Sequence, residues 1–124
     1  MTKFFLIIAA LGVIPAGLSY GASPAATMEL LFAIPVEGVN ETHIFRAIMG
    51  LYLASAVFWA SGAMSSALRT PALWGVAVFM LGLAAGRILS VVVDGTPHPL
   101  LLGYILIELV VGGLALMLLR RDTA

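Results

Sequence analysis

The chain has no cysteine in 124 residues and little charge of either sign: six lysines and arginines, six aspartates and glutamates, and a formal net charge of zero. The first absence removes disulfides, thiolate zinc sites, cysteine-ligated iron–sulfur clusters and thiol nucleophiles together, while leaving the redox compartment undetermined. Net neutrality excludes nucleic acid as a partner, because phosphate binding needs a basic surface that six scattered cations do not make. Catalytic signatures are missing as well. There is no Gly-x-Ser-x-Gly elbow, Walker loop, His-Glu-x-x-His or glycine-rich dinucleotide turn. An enzyme therefore ranks last among the functional readings, and no cofactor is expected.

What the chain has in abundance is hydrocarbon, at 62% of its residues. A water-soluble domain of this length has too little interior to hide so much apolar surface, whereas a bilayer is itself an apolar solvent. Four runs, at about residues 4–21, 43–64, 71–93 and 98–119, reach the roughly 20 residues that cross a membrane. The expected fold is all-α: an integral membrane four-helix bundle, left-handed, forming a single domain over residues 1–124. Cap signals agree with these bounds. Thr70-Pro71 and Thr96-Pro97-His98-Pro99 read as helix starts, and Asp94-Gly95 as a tight turn. Pro15 removes a backbone hydrogen bond from the first span and is expected to kink it.

With four crossings, Lys3, Arg69, Arg120 and Arg121 fall on one side, and Glu29, Glu37, Glu41 and Asp94 on the other. The positive-inside rule then puts both termini in the cytoplasm, and the expected location is a bacterial inner membrane. Lys3 before an apolar run, with Ser19-Tyr20-Gly21 at cleavage spacing, imitates a secretory signal. The segment is read as a retained first membrane helix. Between the first two spans, Ser23-Pro24 opens and Pro35 closes an apolar stretch containing Met28, Leu30, Leu31 and Phe32. This pattern predicts a short interfacial helix in the first outer loop. An anchor in the lipid surface is the preferred use; the sharper alternative is a lid whose Glu29 points at Arg46 or Arg87.

The most informative residues are the ions inside the spans: Arg46, Arg87 and Glu108. Each costs about 2.5–3.5 kcal/mol at the centre of a membrane helix even on the lenient insertion scale, so something must compensate. Counted from the outer helix ends at about 1.5 Å per residue, they lie roughly 5, 9 and 15 Å deep below the same face. Helical spacing puts Leu83, Arg87, Ser90 and Asp94 on one stripe, Leu101, Tyr104, Glu108 and Gly112 on another, and Arg46, Gly50 and Leu53 on a third. Facing these stripes inward gives an expected pocket of Arg46, Arg87, Ser90, Asp94, Tyr104 and Glu108. In it Arg87 pairs with Glu108, Tyr104 and Ser90 supply hydrogen bonds, and Arg46 closes the mouth. The plainer reading of the pair is a salt bridge that only fixes which helices are neighbours, and the plainer reading of Arg46 is a side chain snorkelling to lipid phosphates. Gly50, Gly82, Gly86 and Gly112 are expected to serve close helix packing within the chain, with a homo-oligomer seam as the lesser use. His43 and His98, with Glu41 or Asp94, match no metal spacing, so no metal site is expected.

Three stretches carry a resemblance: Arg46-Ala47-Ile48-Met49-Gly50-Leu51-Tyr52, then Gly86-Arg87-Ile88-Leu89-Ser90 with Asp94-Gly95-Thr96-Pro97, then Ile107-Glu108-Leu109. The pattern resembles a bacterial family of small four-helix membrane proteins of unknown function, distantly similar to DoxX-like proteins. Its matching positions are Arg46, Gly50, Gly86, Arg87, Asp94, Gly95 and Glu108. The resemblance implies a membrane subunit associated with quinone-linked oxidoreductases, or an accessory or assembly protein. The expected function is thus an accessory or interaction protein whose polar intramembrane pocket binds a lipid-like or quinone-like ligand or a partner membrane protein. Expected partners are membrane lipids and a larger membrane complex or a second copy. The alternative is a minimal proton- or anion-coupled transporter.

Overall fold

The computed structural model describes the backbone of residues 1–123 and the side chains of residues 1–121; Ala124, the last residue of the expected domain, lies outside the described residues. The chain folds into five helices, α1 (Thr2–Gly21), α2 (Pro24–Phe32), α3 (Val39–Met64), α4 (Ser66–Asp94) and α5 (Pro99–Thr123), with no strand among the described residues. All but α2 are long and apolar enough to cross a bilayer, which makes this a multi-pass membrane protein. α2 is the short helix expected between the first two crossings. Pro24 opens it at a position where the missing N–H has no intrahelical role, and Ala33 ends it in the left-handed conformation, φ 56°.

Two helices start four or more residues earlier than expected. α3 starts at Val39 rather than near residue 43, because its first turn is satisfied locally: the Glu41 carboxylate accepts the Glu37 N–H at 3.0 Å, and the Thr42 hydroxyl donates to the Gly38 carbonyl at 2.9 Å. α4 starts at Ser66, so Pro71 lies inside the helix instead of opening it. Ser65 is then the whole connection between two crossings. Its extended backbone serves as C-cap of one helix and N-cap of the next, while the Arg69 side chain reaches back to the Ala63 carbonyl at 3.4 Å. α1 continues as helix on both sides of Pro15.

The crossings pack in the order α1, α3, α4, α5, each lying along the next, but α1 and α5 do not pack along each other. The bundle is therefore open along one seam. The two edge helices come together toward the end that carries the termini, where Arg121 Nη1 reaches Met1 Sδ at 3.8 Å and Leu6, Leu118 and Leu119 belong to one buried cluster. At the opposite end α2 bridges the seam. Its Met28 and Phe32, with Val36, form a second buried cluster against Tyr20, Phe45, Leu101 and Tyr104.

Lipid tails are as apolar as leucine, so helices in a membrane associate through close van der Waals contact between small residues. A Cβ on Gly17 of α1 would stand 2.6 Å from Tyr52 Cβ, one on Gly21 would collide with Met49, and one on Gly62 of α3 would collide with Ala72 of α4. Of the four glycines expected to pack, only Gly112 does, with Leu81 Cδ2 2.7 Å from where its Cβ would be. Gly50, Gly82 and Gly86 have open space beside them. Their stripes face outward, as the exposed Leu51, Val78 and Leu89 on the same helices show. Gly17→Val is expected to force α1 off α3 and to cost about 1–3 kcal/mol, while Gly82→Ala is expected to be neutral or stabilising by up to about 1 kcal/mol. Denaturation of both variants in mixed micelles measures the contrast.

Candidate functional site: an apolar cleft ending in an ion pair

α4 carries Arg87 seven residues before its end and α5 carries Glu108 nine residues after its start. The two side chains meet between the helices. Arg87 Nε donates to both carboxylate oxygens, at 2.5 Å to Oε1 and 3.1 Å to Oε2, and the Glu108 residue is only 5% exposed. Arg87 Nη2 donates across the seam to the Tyr20 hydroxyl of α1 at 3.3 Å, and the guanidinium carbon lies 5.4 Å from the Tyr104 ring centroid. One guanidinium thus ties α4 to α5 through an ion pair and to α1 through a hydrogen bond. It also sits against an aromatic face, which stabilises a cation held away from water.

Aromatic rings roof this group. The Tyr20 ring stacks on Phe32 of α2 and Phe45 of α3, at 6.5 and 6.2 Å between centroids, and tilts against Tyr52 at 5.4 Å. Phe32 presents edges to His98 and Tyr104. On the other side of the ion pair a cavity of about 370 Å³ runs toward the terminal end of the bundle. α1 lines it with Phe5, Ile8, Ala9, Gly12, Val13 and Ala16, α5 with Tyr104, Ile107, Glu108, Val111 and Leu114, and its floor includes Tyr52, Phe79, Leu83 and Arg87. Apart from the ion pair and two tyrosines the wall is hydrocarbon. The cavity occupies the seam where α1 and α5 fail to pack.

Of the six residues expected to form a pocket, the structure brings three together: Arg87, Tyr104 and Glu108. Tyr104 meets Arg87 through its ring rather than its hydroxyl. Ser90 and Asp94 are exposed beyond the ion pair, toward the loop end, where the Ser90 hydroxyl donates to the Asp94 carboxylate at 2.9 Å. They share the Arg87 stripe, but the cavity extends from Arg87 in the other direction. Arg46 is also outside it. Its Nη1 donates to the Gly21 carbonyl at 2.8 Å, satisfying an orphan acceptor at the end of α1 and holding that end against α3. Glu29 is exposed on α2 and bonds neither arginine, so it does not aim a lid at them; α2 covers the site with Met28 and Phe32 while Leu30, 83% exposed, faces outward. His98 Nδ1 accepts the Leu100 N–H at the start of α5, and His43 is exposed. Tyr20 is the site residue that sequence reasoning missed. Its signal was the four-residue spacing from Ala16 and the cleft-facing stripe Phe5, Ala9, Gly12, Ala16.

Removing either member of the pair strands a charge in a low-dielectric site, so Arg87→Leu or Glu108→Leu alone is expected to destabilise the bundle by about 3–5 kcal/mol. The double leucine variant is expected to lose far less than the sum, and a double-mutant cycle on solubilised protein measures the coupling. Additive losses would mean that the two side chains do not act on each other.

No curated protein and no solved structure matches the chain. A family model does, described as a domain of unknown function, DUF4345, and it matches residues 1–119. That range takes in α1 to α4 and most of α5, and with them the ion pair, the cleft and the covering helix. The chain belongs to the DUF4345 family.

Proposed function

We propose that this protein is a small accessory membrane protein that holds a lipid-like or quinone-like ligand in the cleft between α1 and α5, alone or within a larger membrane complex. We place it in a bacterial inner membrane with both termini cytoplasmic, following the basic residues at the terminal end. The observation that carries the reading is one cavity that joins an apolar slot to a buried ion pair at one end. Its volume of about 370 Å³ lies within the 300–1,000 Å³ usual for small-molecule sites, which are mostly apolar with a few convergent polar groups. An amphiphile has the same two parts in the same order. Ions kept at membrane depth are functional by default, and here the pair faces a space that no protein side chain fills.

The competing transporter reading needs a path from one membrane face to the other. The cleft is covered at the loop end by α2 and at the terminal end by the meeting of α1 and α5, so its opening is sideways, toward lipid. That favours holding a ligand over passing one across.

Gly12 lines the cleft and has nothing within 4 Å of where a Cβ would stand, so a large side chain there fills the slot without displacing a helix. Native mass spectra of gently extracted protein are expected to show a retained amphiphile in the wild type and in Gly82→Phe, and to lose it in Gly12→Phe. Equal retention in all three removes the cleft as the site. For orientation, cysteines at Gly38 and Ser66 are expected to label from opposite membrane faces, with Ser66 cytoplasmic. Labelling of both from one face contradicts the four-crossing arrangement.

A further inference from the structure

We infer that the cleft selects an uncharged amphiphile with a hydroxyl or carbonyl head group, admitted sideways from the bilayer between α1 and α5. The inference rests on the proposed binding role and specifies the ligand.

Charge decides the head group. Arg87 and Glu108 already neutralise each other, with both carboxylate oxygens within 3.1 Å of Nε. A phosphate or carboxylate head would either have to break that contact or put a second negative charge beside Glu108, away from water. Both are costly, because a buried charge without its partner keeps its full desolvation penalty. A cationic head meets the same obstacle at Arg87. A neutral oxygen meets none, and the pair offers it hydrogen bonds of both senses. Arg87 Nη1 donates to no described residue, and the Glu108 carboxylate receives only Nε, although each oxygen has two lone pairs. A carbonyl accepts from the first and a hydroxyl also donates to the second.

The lining sets where the tail lies. From Phe5 to Ala16 on α1, and from Tyr104 to Leu114 on α5, the lining spans about 15 Å at the helical rise, half the roughly 30 Å hydrocarbon core. A volume of about 370 Å³ over that length is elongated along the helices, as a hydrocarbon tail is. The lining is smooth where a tail would lie, with Ala9, Gly12 and Ala16 on one wall. The rim is apolar and faces outward at the depth of the crossings: Ile8 is 51% and Ile107 56% exposed, on the two helices that do not pack together. A ligand dissolved in the leaflet therefore reaches the ion pair without crossing water, and α2 keeps its polar head beneath aromatic rings.

Probes that share one oleoyl or oleyl tail separate head group from tail. In titrations read by native mass spectrometry, wild-type protein is expected to retain monooleoylglycerol and oleyl alcohol at least about tenfold more tightly than oleate or oleyl phosphate, the size of one lost charge-assisted hydrogen bond. Glu108→Gln keeps the side-chain size and leaves the guanidinium charge unanswered, so oleate is expected to overtake monooleoylglycerol in that variant. Wild-type binding of oleate at least equal to that of monooleoylglycerol, with Gly12→Phe still abolishing it, would overturn the selectivity while leaving the cleft a lipid site. Binding of every probe that Gly12→Phe leaves unchanged would overturn the lipid site itself, and the selectivity with it.

Discussion

A guanidinium and a carboxylate inside hydrocarbon have to find each other, and the rest of this bundle is arranged around that requirement. Arg87 is on α4 and Glu108 on α5, so their contact sets the register of those two helices. The remaining donors of the same guanidinium need partners as well, and Tyr20 supplies one from α1, across the seam where the helices leave a gap. A hydrophobic replacement of the pair would satisfy the same helix neighbours without any desolvation penalty. The arrangement retained here instead brings three helices to one polar point at the end of a cavity whose other walls are mostly hydrocarbon.

The seam follows from where the small residues are. α1 approaches α3 over Gly17 and Gly21, and α3 approaches α4 over Gly62 and Ala72, so these backbones come close enough for dispersion to hold them. α1 lines the cleft with Gly12 and Ala16 and α5 with Ile107, Val111 and Leu114, and the two helices do not pack along each other there. α2 completes the arrangement by covering the loop end, where the aromatic cluster of Tyr20, Phe32, Phe45 and Tyr104 replaces helix-to-helix packing.

The four crossings, the short helix after the first of them and the Arg87–Glu108 pair are all legible in the sequence, because each leaves a local mark: an apolar run of sufficient length, a proline on either side of an apolar patch, an ion where none is tolerated alone. The same stripe arithmetic failed for Ser90 and Asp94. Angular position around α4 places them with Arg87, but it carries no information on which way along the axis the cavity extends. It also failed for Gly82 and Gly86, since a Gly-x-x-x-Gly stripe marks a flat face without saying what lies against it, and here that face is turned outward. Tyr20 was hidden by its position beside small residues that imitate a cleavage site. Arg46 shows how one residue type takes two roles at membrane depth: Arg87 finds a carboxylate, whereas Arg46 finds the unused carbonyl of Gly21.

The connections between crossings are very unequal, and that inequality has a mechanical consequence. Ser65 alone joins α3 to α4, and Gly95 to His98 join α4 to α5, so three of the four spanning helices are strung together on short tethers. α1 is joined to them only through the long segment that contains α2. Its fixing points are the carbonyl of Gly21 held by Arg46, the hydroxyl of Tyr20 held by Arg87, and the glycine contacts along α3. Packing makes up for that long connection, since α1 lies along α3 more extensively than any other two crossings lie together. The two walls of the cleft thus belong to two paired units, α1 on α3 and α5 on α4, and its width is the spacing between those pairs.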